Sequence, residues 1–167
     1  MVNISLPTVV RSTGFSSLSN SIMQHYLSLD KNFKPCPSAE GDELFPNGIF
    51  VFNISSMHGY IQDNPDLFYP EDIAVKDINT ASSIINEEHL DSVDVTKPVI
   101  LAEIAPGRYN LIDGHHRVRK AARDNIDTIK VYRLKASQHI HFLTSRKGYE
   151  KYVEYWNDKI KDQRKSQ

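Results

Sequence analysis

The chain is poor in cysteine: Cys36 is the only one. A single cysteine excludes an internal disulfide and any cysteine-based metal cluster. It lies in KPCPS, between two prolines, and reads as a structural bystander. Long hydrophobic runs are also lacking. None approaches the ~20 apolar residues of a membrane-spanning helix, so no membrane partner is expected. Charge of one sign is not in excess either. Twenty basic and twenty-one acidic side chains leave a formal net charge of −1. The field of the whole molecule then neither draws in nor repels nucleic acid, and any attraction for an anion must be local. No internal repeat or low-complexity tract is visible. The opening MVNISLPTVVRST has no long apolar stretch behind a charged start, so a secretory leader is not expected and the expected location is cytoplasmic. In that compartment the NIS sequons at Asn3 and Asn53 carry no meaning.

What is present is the make-up of a folded globular chain: 167 residues, 40% hydrophobic and 25% charged. That length suggests one compact domain with a small appendage. We expect an amino-terminal extension over 1–48 and the main domain over 49–167. In the extension, SLSNSIMQHYLSLD reads as a short amphipathic helix. Ile22, Met23, Tyr26 and Leu27 fall at helical spacing, with Ser19 as a cap. KNFKPCPSAEGDELFPNG, with three prolines and two glycines, reads as loop or linker. IFVFNI (Ile49 to Ile54) reads as a strand. The following SSMHGYIQDNPDLFYP reads as an irregular surface loop or a lid. Its aromatic residues are expected to pack within the loop.

The later segments alternate more clearly. DIAVKDI (Asp72 to Ile78) reads as a strand. TASSIINEEHLDSV reads as a short helix with Ile84, Ile85 and Leu90 as its apolar positions. Pro98 opens the strand VILAEI (Val99 to Ile104), a place where no ladder donor is needed. APGRY is a turn into YNLI, which makes a β-hairpin through Pro106-Gly107. TIKVYRL is a further strand. TSRKGYEKYVEYWNDKIKDQRK reads as a long helix with Tyr149, Val153, Trp156 and Ile160 on its core face. In QHIHF, His139 and His141 share a face if the segment is a strand, but no third ligand stands nearby and no metal site is expected.

Between YNLI and TIKVYRL lies IDGHHRVRKAARDNI, with strand-turn-helix grammar. Asp113 stands where an N-cap belongs. Gly114 permits a tight turn and close approach of a ligand. Val118, Ala121 and Ala122 form a narrow apolar stripe, and His115, His116, Arg117, Arg119 and Lys120 lie off it. A helix amino end carries unpaired amides and roughly half a positive charge. Cations gathered there cost about 0.3–1 kcal/mol each in the empty state. A phosphate would relieve them, and Arg117 would offer it a bidentate donor. The alternative is a surface helix whose cations face water.

YNLIDGHHRVRKAA, with PVILAEI before it and IDTIKVYRL after it, resembles the ParB/sulfiredoxin superfamily. The likeness covers about Asp72 to Leu134. It implies an α+β fold: a mixed sheet with packed helices, here joined by an amino-terminal helical extension and a long carboxy-terminal helix. Partition proteins of that family carry glycine, glutamate, arginine, arginine in the motif; Gly114 and Arg117 match. Sulfiredoxins carry glycine, cysteine, histidine, arginine; Gly114, His116 and Arg117 match, but His115 replaces the essential cysteine, so sulfinic acid reduction is not expected. No helix-turn-helix domain is read after Leu134, so partition is not expected either. The motif is most similar to members with Asp-Gly-His-His-Arg or Asp-Gly-His-Thr-Arg, some resembling small-molecule kinases such as free serine kinases and others labelled ParB-like nucleases.

The resemblance implies that Gly114, His115, His116 and Arg117 contact nucleotide phosphates, with Arg119 and Lys120 adding charge. The nucleotide would be ATP, ADP or CTP with Mg²⁺, and the chemistry phosphoryl transfer to a small-molecule acceptor or nucleotide hydrolysis. His116, with His115 as a second candidate, would face the γ- or β-phosphate as donor or acid, and Arg117 would hold the non-transferred phosphates. Asp113 or Glu103 would supply the carboxylate that orients an acceptor or holds Mg²⁺, with Glu87 and Glu88 as weaker candidates. Two alternatives use the same residues. One is a nuclease acting on DNA, disfavoured by the lack of a basic stripe. The other is a non-enzymatic module whose partners change when nucleotide binds.

Overall fold

The structure, a computed structural model, describes residues 25–80 and 87–166. The centre is a four-stranded mixed sheet. It comprises β3 (Glu71–Ala74), β4 (Val99–Ala105), β5 (Arg108–Asp113) and β6 (Thr128–Leu134), in the order β3-β6-β4-β5. β4 and β5 form the expected hairpin, β6 runs parallel to β4, and β3 pairs antiparallel to β6. A smaller two-stranded ribbon joins β1 (Leu44–Asn47) to β2 (Phe50–Asn53). Among the described residues there are four α-helices: α1 (Ile54–Asp63), α2 (His115–Arg123), α3 (Ala136–His139) and α4 (Arg146–Lys165).

The sheet is covered on both faces, as the buried run of β4 requires. Alternate residues of its strands feed two cores. Val99, Leu101, Leu111, Ile129 and Val131 meet Val118 and Ala121 of α2. Ile100, Ala102, Ile104, Ile112 and Leu134 meet Ile54, Met57 and Ile61 of α1 and the face of α4 that carries Tyr149, Tyr152, Val153, Trp156 and Ile160. The α4 face is thus the one its spacing indicates, and Ser145 caps the helix by accepting from the Gly148 amide at 3.0 Å. Ala122, expected on the apolar stripe of α2, is exposed.

Several elements differ from the sequence reading. The segment read as a loop or lid after β2 is the helix α1. The Asn53 side chain caps it, accepting from the Ser56 amide at 2.9 Å, and Ile54, Met57 and Ile61 are buried beneath it. The segment read as linker contains β1. Gly48, at φ 65°, takes the first position of the two-residue turn into β2. The expected boundary between 48 and 49 falls inside this hairpin. Residues 25–36 lie along α4, with Leu27 bound through both its amide and its carbonyl to the Asn157 side chain and Phe33 stacked on Tyr149 at 3.9 Å. The helix expected over 17–30 falls outside the described residues as far as Gln24, and from His25 onward the chain is not helical. The strand expected to Ile78 ends at Ala74 and continues as a 3-10 turn, Val75–Asp77. Ile84 and Ile85 lie outside the described residues; Glu87–Ser92 is a 3-10 helix with Leu90 buried. Among the described residues, no helix is long and apolar enough to cross a membrane.

The histidines of QHIHF are separated by the turn from α3 into a 3-10 segment, Ile140–Phe142. His141 is exposed and His139 is fully buried. A register shift in the β4–β5 pairing lies between Glu103 and Ala105. There the Glu103 carbonyl accepts from both His139 Nε2 and the Tyr152 hydroxyl, each at 2.7 Å. The ring must carry a proton on Nε2 to donate, and Nδ1 has no partner among the described residues, so a second proton there would find no acceptor. Burial pushes the pKa of His139 from 6.5 down to about 4, although the Glu103 carbonyl pulls upward. The folded chain therefore keeps His139 as the neutral imidazole between these values while the unfolded chain takes up a second proton on the ring. Stability should fall as pH drops from 6.5 towards 4, by up to about 1.4 kcal/mol per pH unit. Denaturant unfolding across this range should show the slope, and His139→Phe should flatten it. An unchanged slope in the variant would assign the effect to other groups.

Candidate functional site

The motif sits where β5 gives way to α2. Asp113 is the last residue of β5, paired with Ile100, and is not the N-cap. Gly114 takes that position at φ 93°, in the left-handed region, with no side chain capping the helix. The spacing suggested capping by Asp113, but the left-handed glycine directs the carboxylate elsewhere. Asp113 Oδ2 accepts from Arg117 Nη2 and from His58 Nε2, both at 2.8 Å. Arg117 Nη1 also donates to the Pro98 carbonyl, just before β4. One oxygen thereby joins α1, β5 and α2, and the same arginine ties α2 to the start of β4.

The carboxylate is 8% exposed. Burial would raise its pKa, but the His58 hydrogen bond and the Arg117 charge outweigh that and hold it below the ordinary aspartate value. The stabilisation from these partners is present above the unfolded pKa and is lost as pH falls through the lowered one. His58 was not identified from the sequence. It lies 55 positions from Asp113, in a segment read as loop, and no local signal links the two.

The amino end of α2 opens into a cavity of about 770 Å³. Asp113, Gly114, His115, His116 and Arg117 line it, facing Glu43, Phe45 and the β1–β2 turn. His115 stacks on Phe45 with ring centroids 5.2 Å apart. Burial lowers the His115 pKa despite the attraction of Asp113, so at neutral pH this ring is a polar group and not a cation. His116 is exposed at the second helical position.

The remaining cations turn to other work. Arg119 pairs with Glu87 at 2.6 Å, and Lys120 donates to the carbonyls of Asp91 and Val93. Arg123 pairs with Asp91 and Asp124. These bonds fasten the 3-10 segment Glu87–Ser92 and the chain after it to α2, and neither Arg119 nor Lys120 lines the cavity. Glu103 does not line it either. It lies at the other end of the β4–β5 hairpin, where its Oε1 accepts from the Gly107 amide at 2.9 Å. The second carboxylate at the cavity is Glu43, which the sequence reading placed in a linker. Among the described residues, no cluster of three or more His, Cys, Asp or Glu is arranged to hold a metal ion.

The chain matches no family model, no curated protein and no solved structure. Its site is therefore read from its own geometry.

Among the described glycines, Gly114 has the least room for a side chain. A Cβ there would lie 2.4 Å from Val99 Cγ1, and the positive φ adds backbone strain. Gly114→Ala should destabilise the fold by about 2–4 kcal/mol, combining the left-handed penalty with overpacking. Val99→Ala in the same chain should recover the packing part only, giving a favourable coupling above about 1 kcal/mol in a double-mutant cycle of chemical unfolding. Simple additivity would show that the two residues do not compete for this space.

Proposed function

We propose that this protein binds a nucleotide as its Mg²⁺ complex, with phosphates at the amino end of α2, and that it is a ParB/sulfiredoxin-like phosphotransferase or nucleotide hydrolase. The observation that carries this reading is the helix end itself. The cap is a glycine with no side chain, no side chain among the described residues caps the first-turn amides, and the residues that carry them line a cavity. The cavity volume of about 770 Å³ lies within the range of small-molecule sites, roughly 300–1,000 Å³. The likeness of Gly114 to Arg117 to the superfamily motif adds weight.

Charge refines the reading. Asp113 and Glu43 line the same cavity as the amides. A bare polyphosphate would meet two carboxylates there, which is unfavourable without a bridging cation. Mg²⁺ takes hard oxygen donors, commonly one or two carboxylates together with substrate phosphates, and needs no complete protein cage. Asp113 and Glu43 would hold it, and it would neutralise charge on the phosphoryl group being transferred. Arg117 anchors Asp113 while lining the cavity. His116 is the side chain with most freedom to meet a phosphate. His115, neutral and stacked on Phe45, offers a hydrogen bond and an aromatic wall. The commitment of Arg119, Lys120 and Arg123 to neighbouring chain favours a small nucleotide over DNA, whose backbone calls for an exposed basic stripe. The acceptor would be a small hydroxyl compound or water.

Calorimetric titration with ATP, ADP, CTP and GTP, each with Mg²⁺, tests the reading. A carboxylate at the second position of a helix complements its dipole by about 0.3–1 kcal/mol. His116→Glu should therefore leave stability equal or higher while weakening nucleotide binding at least about tenfold through repulsion of the phosphates. Undiminished binding in this variant would remove the phosphates from the helix end.

A further inference from the structure

We infer that His58 is a positioning residue for the carboxylate that receives the Mg²⁺ of this site. The inference deepens the nucleotide reading and rests on it. His58 does not line the cavity; it reaches the site only through Asp113. Its Nε2 donates to Asp113 Oδ2, the same oxygen that accepts from Arg117 Nη2. The two donors come from different helices, α1 and α2. A carboxylate turns easily about its last torsion, because that torsion is broad and nearly two-fold. Two donors fixed on one oxygen remove the freedom. Oδ1 has no hydrogen-bond partner among the described residues, and Asp113 borders the cavity. One oxygen is thus anchored and the other remains available to a cation.

The division of labour follows from placement. Arg117 belongs to the first turn of α2 and shares the cavity wall, so a polyanion there competes with Asp113 for its guanidinium. His58 stands outside that competition. Its side chain is 35% exposed, on a helix whose Ile54, Met57 and Ile61 are anchored in the core. It would keep Oδ2 engaged while Arg117 adjusts to the ligand. Partners of this kind, one bond behind a metal ligand, typically govern about 10–100-fold in metal affinity.

The test measures nucleotide affinity twice for each protein, with Mg²⁺ and with EDTA, beginning with ATP and including CTP and GTP. His58→Phe removes the donor and keeps a ring. It should weaken binding of the Mg²⁺ complex about 10–100-fold and alter binding in EDTA less than about twofold. His58→Gln, whose amide can donate to Oδ2, should restore most of the loss. A merely structural role would lower both affinities together. Equal losses with and without Mg²⁺, no loss in His58→Phe, or wild-type binding indifferent to Mg²⁺ would each overturn the role of His58 and leave nucleotide binding standing. Should His58→Phe not fold, His58→Asn, too short to reach Oδ2, takes its place in the comparison. Wild-type protein that binds none of the nucleotides would defeat the nucleotide reading, and the role of His58 with it.

Discussion

One carboxylate oxygen organises the site. Asp113 Oδ2 holds His58 from one side and Arg117 from the other, and Arg117 continues to the Pro98 carbonyl. These bonds connect two helices and the ends of two adjacent strands. A buried carboxylate without partners would be costly, and two donors, one of them a full cation, offset its desolvation. The cavity beside α2 is where it is because these elements are tied at this point. Losing either donor would leave a buried charge less well satisfied, so the arrangement is cooperative.

The charge pattern of α2 gains meaning from its neighbours. As sequence, five polar or basic residues at a helix start look like an anion trap. In the fold, Arg119 and Lys120 bind the Glu87–Ser92 segment and the chain after it, Arg117 binds Asp113, and burial leaves His115 uncharged at neutral pH. Repulsion along the helix is thus relieved by protein groups. The amides remain. Their pull on an anion does not depend on those side chains, because it arises from the aligned peptide dipoles and the missing cap.

How much of this was legible in the sequence depended on how local each signal is. The β4–β5 hairpin, α2, β6 and α4 each carry their signature within a few residues: Pro106-Gly107, the stripe of Val118 and Ala121, the alternation of TIKVYRL, and the heptad-like spacing from Tyr149 to Ile160. Helix α1 carried weaker signals. Ser55, Ser56 and Gly59 are poor helix formers. The Asn53 cap and the buried spacing of Ile54, Met57 and Ile61 override them, and both are readable once the strand before them is ended at Asn53. β1 was hidden by its proline, which this short ribbon tolerates. The partnership of His58 with Asp113 had no local trace. Neither did the approach of Glu43 to the cavity. Both arise from tertiary packing between distant segments.

The empty cap is a consequence of packing rather than an omission. An N-cap side chain at 114 would satisfy the first-turn amides from within. The chain cannot place one there, because a Cβ would run into Val99 and the backbone holds a positive φ. Asp113, the next residue that could reach the amides, is held by His58 and Arg117. The same close contact that seats α2 on β4 thus keeps the amides from an internal acceptor, and the same hydrogen bonds that fix Asp113 keep its carboxylate away from them. Among the described residues no side chain completes the helix end. In the proposed reading, a group with several acceptor oxygens in one rigid unit would serve several amides for the entropy cost of ordering one molecule, an advantage a phosphate has over separate waters.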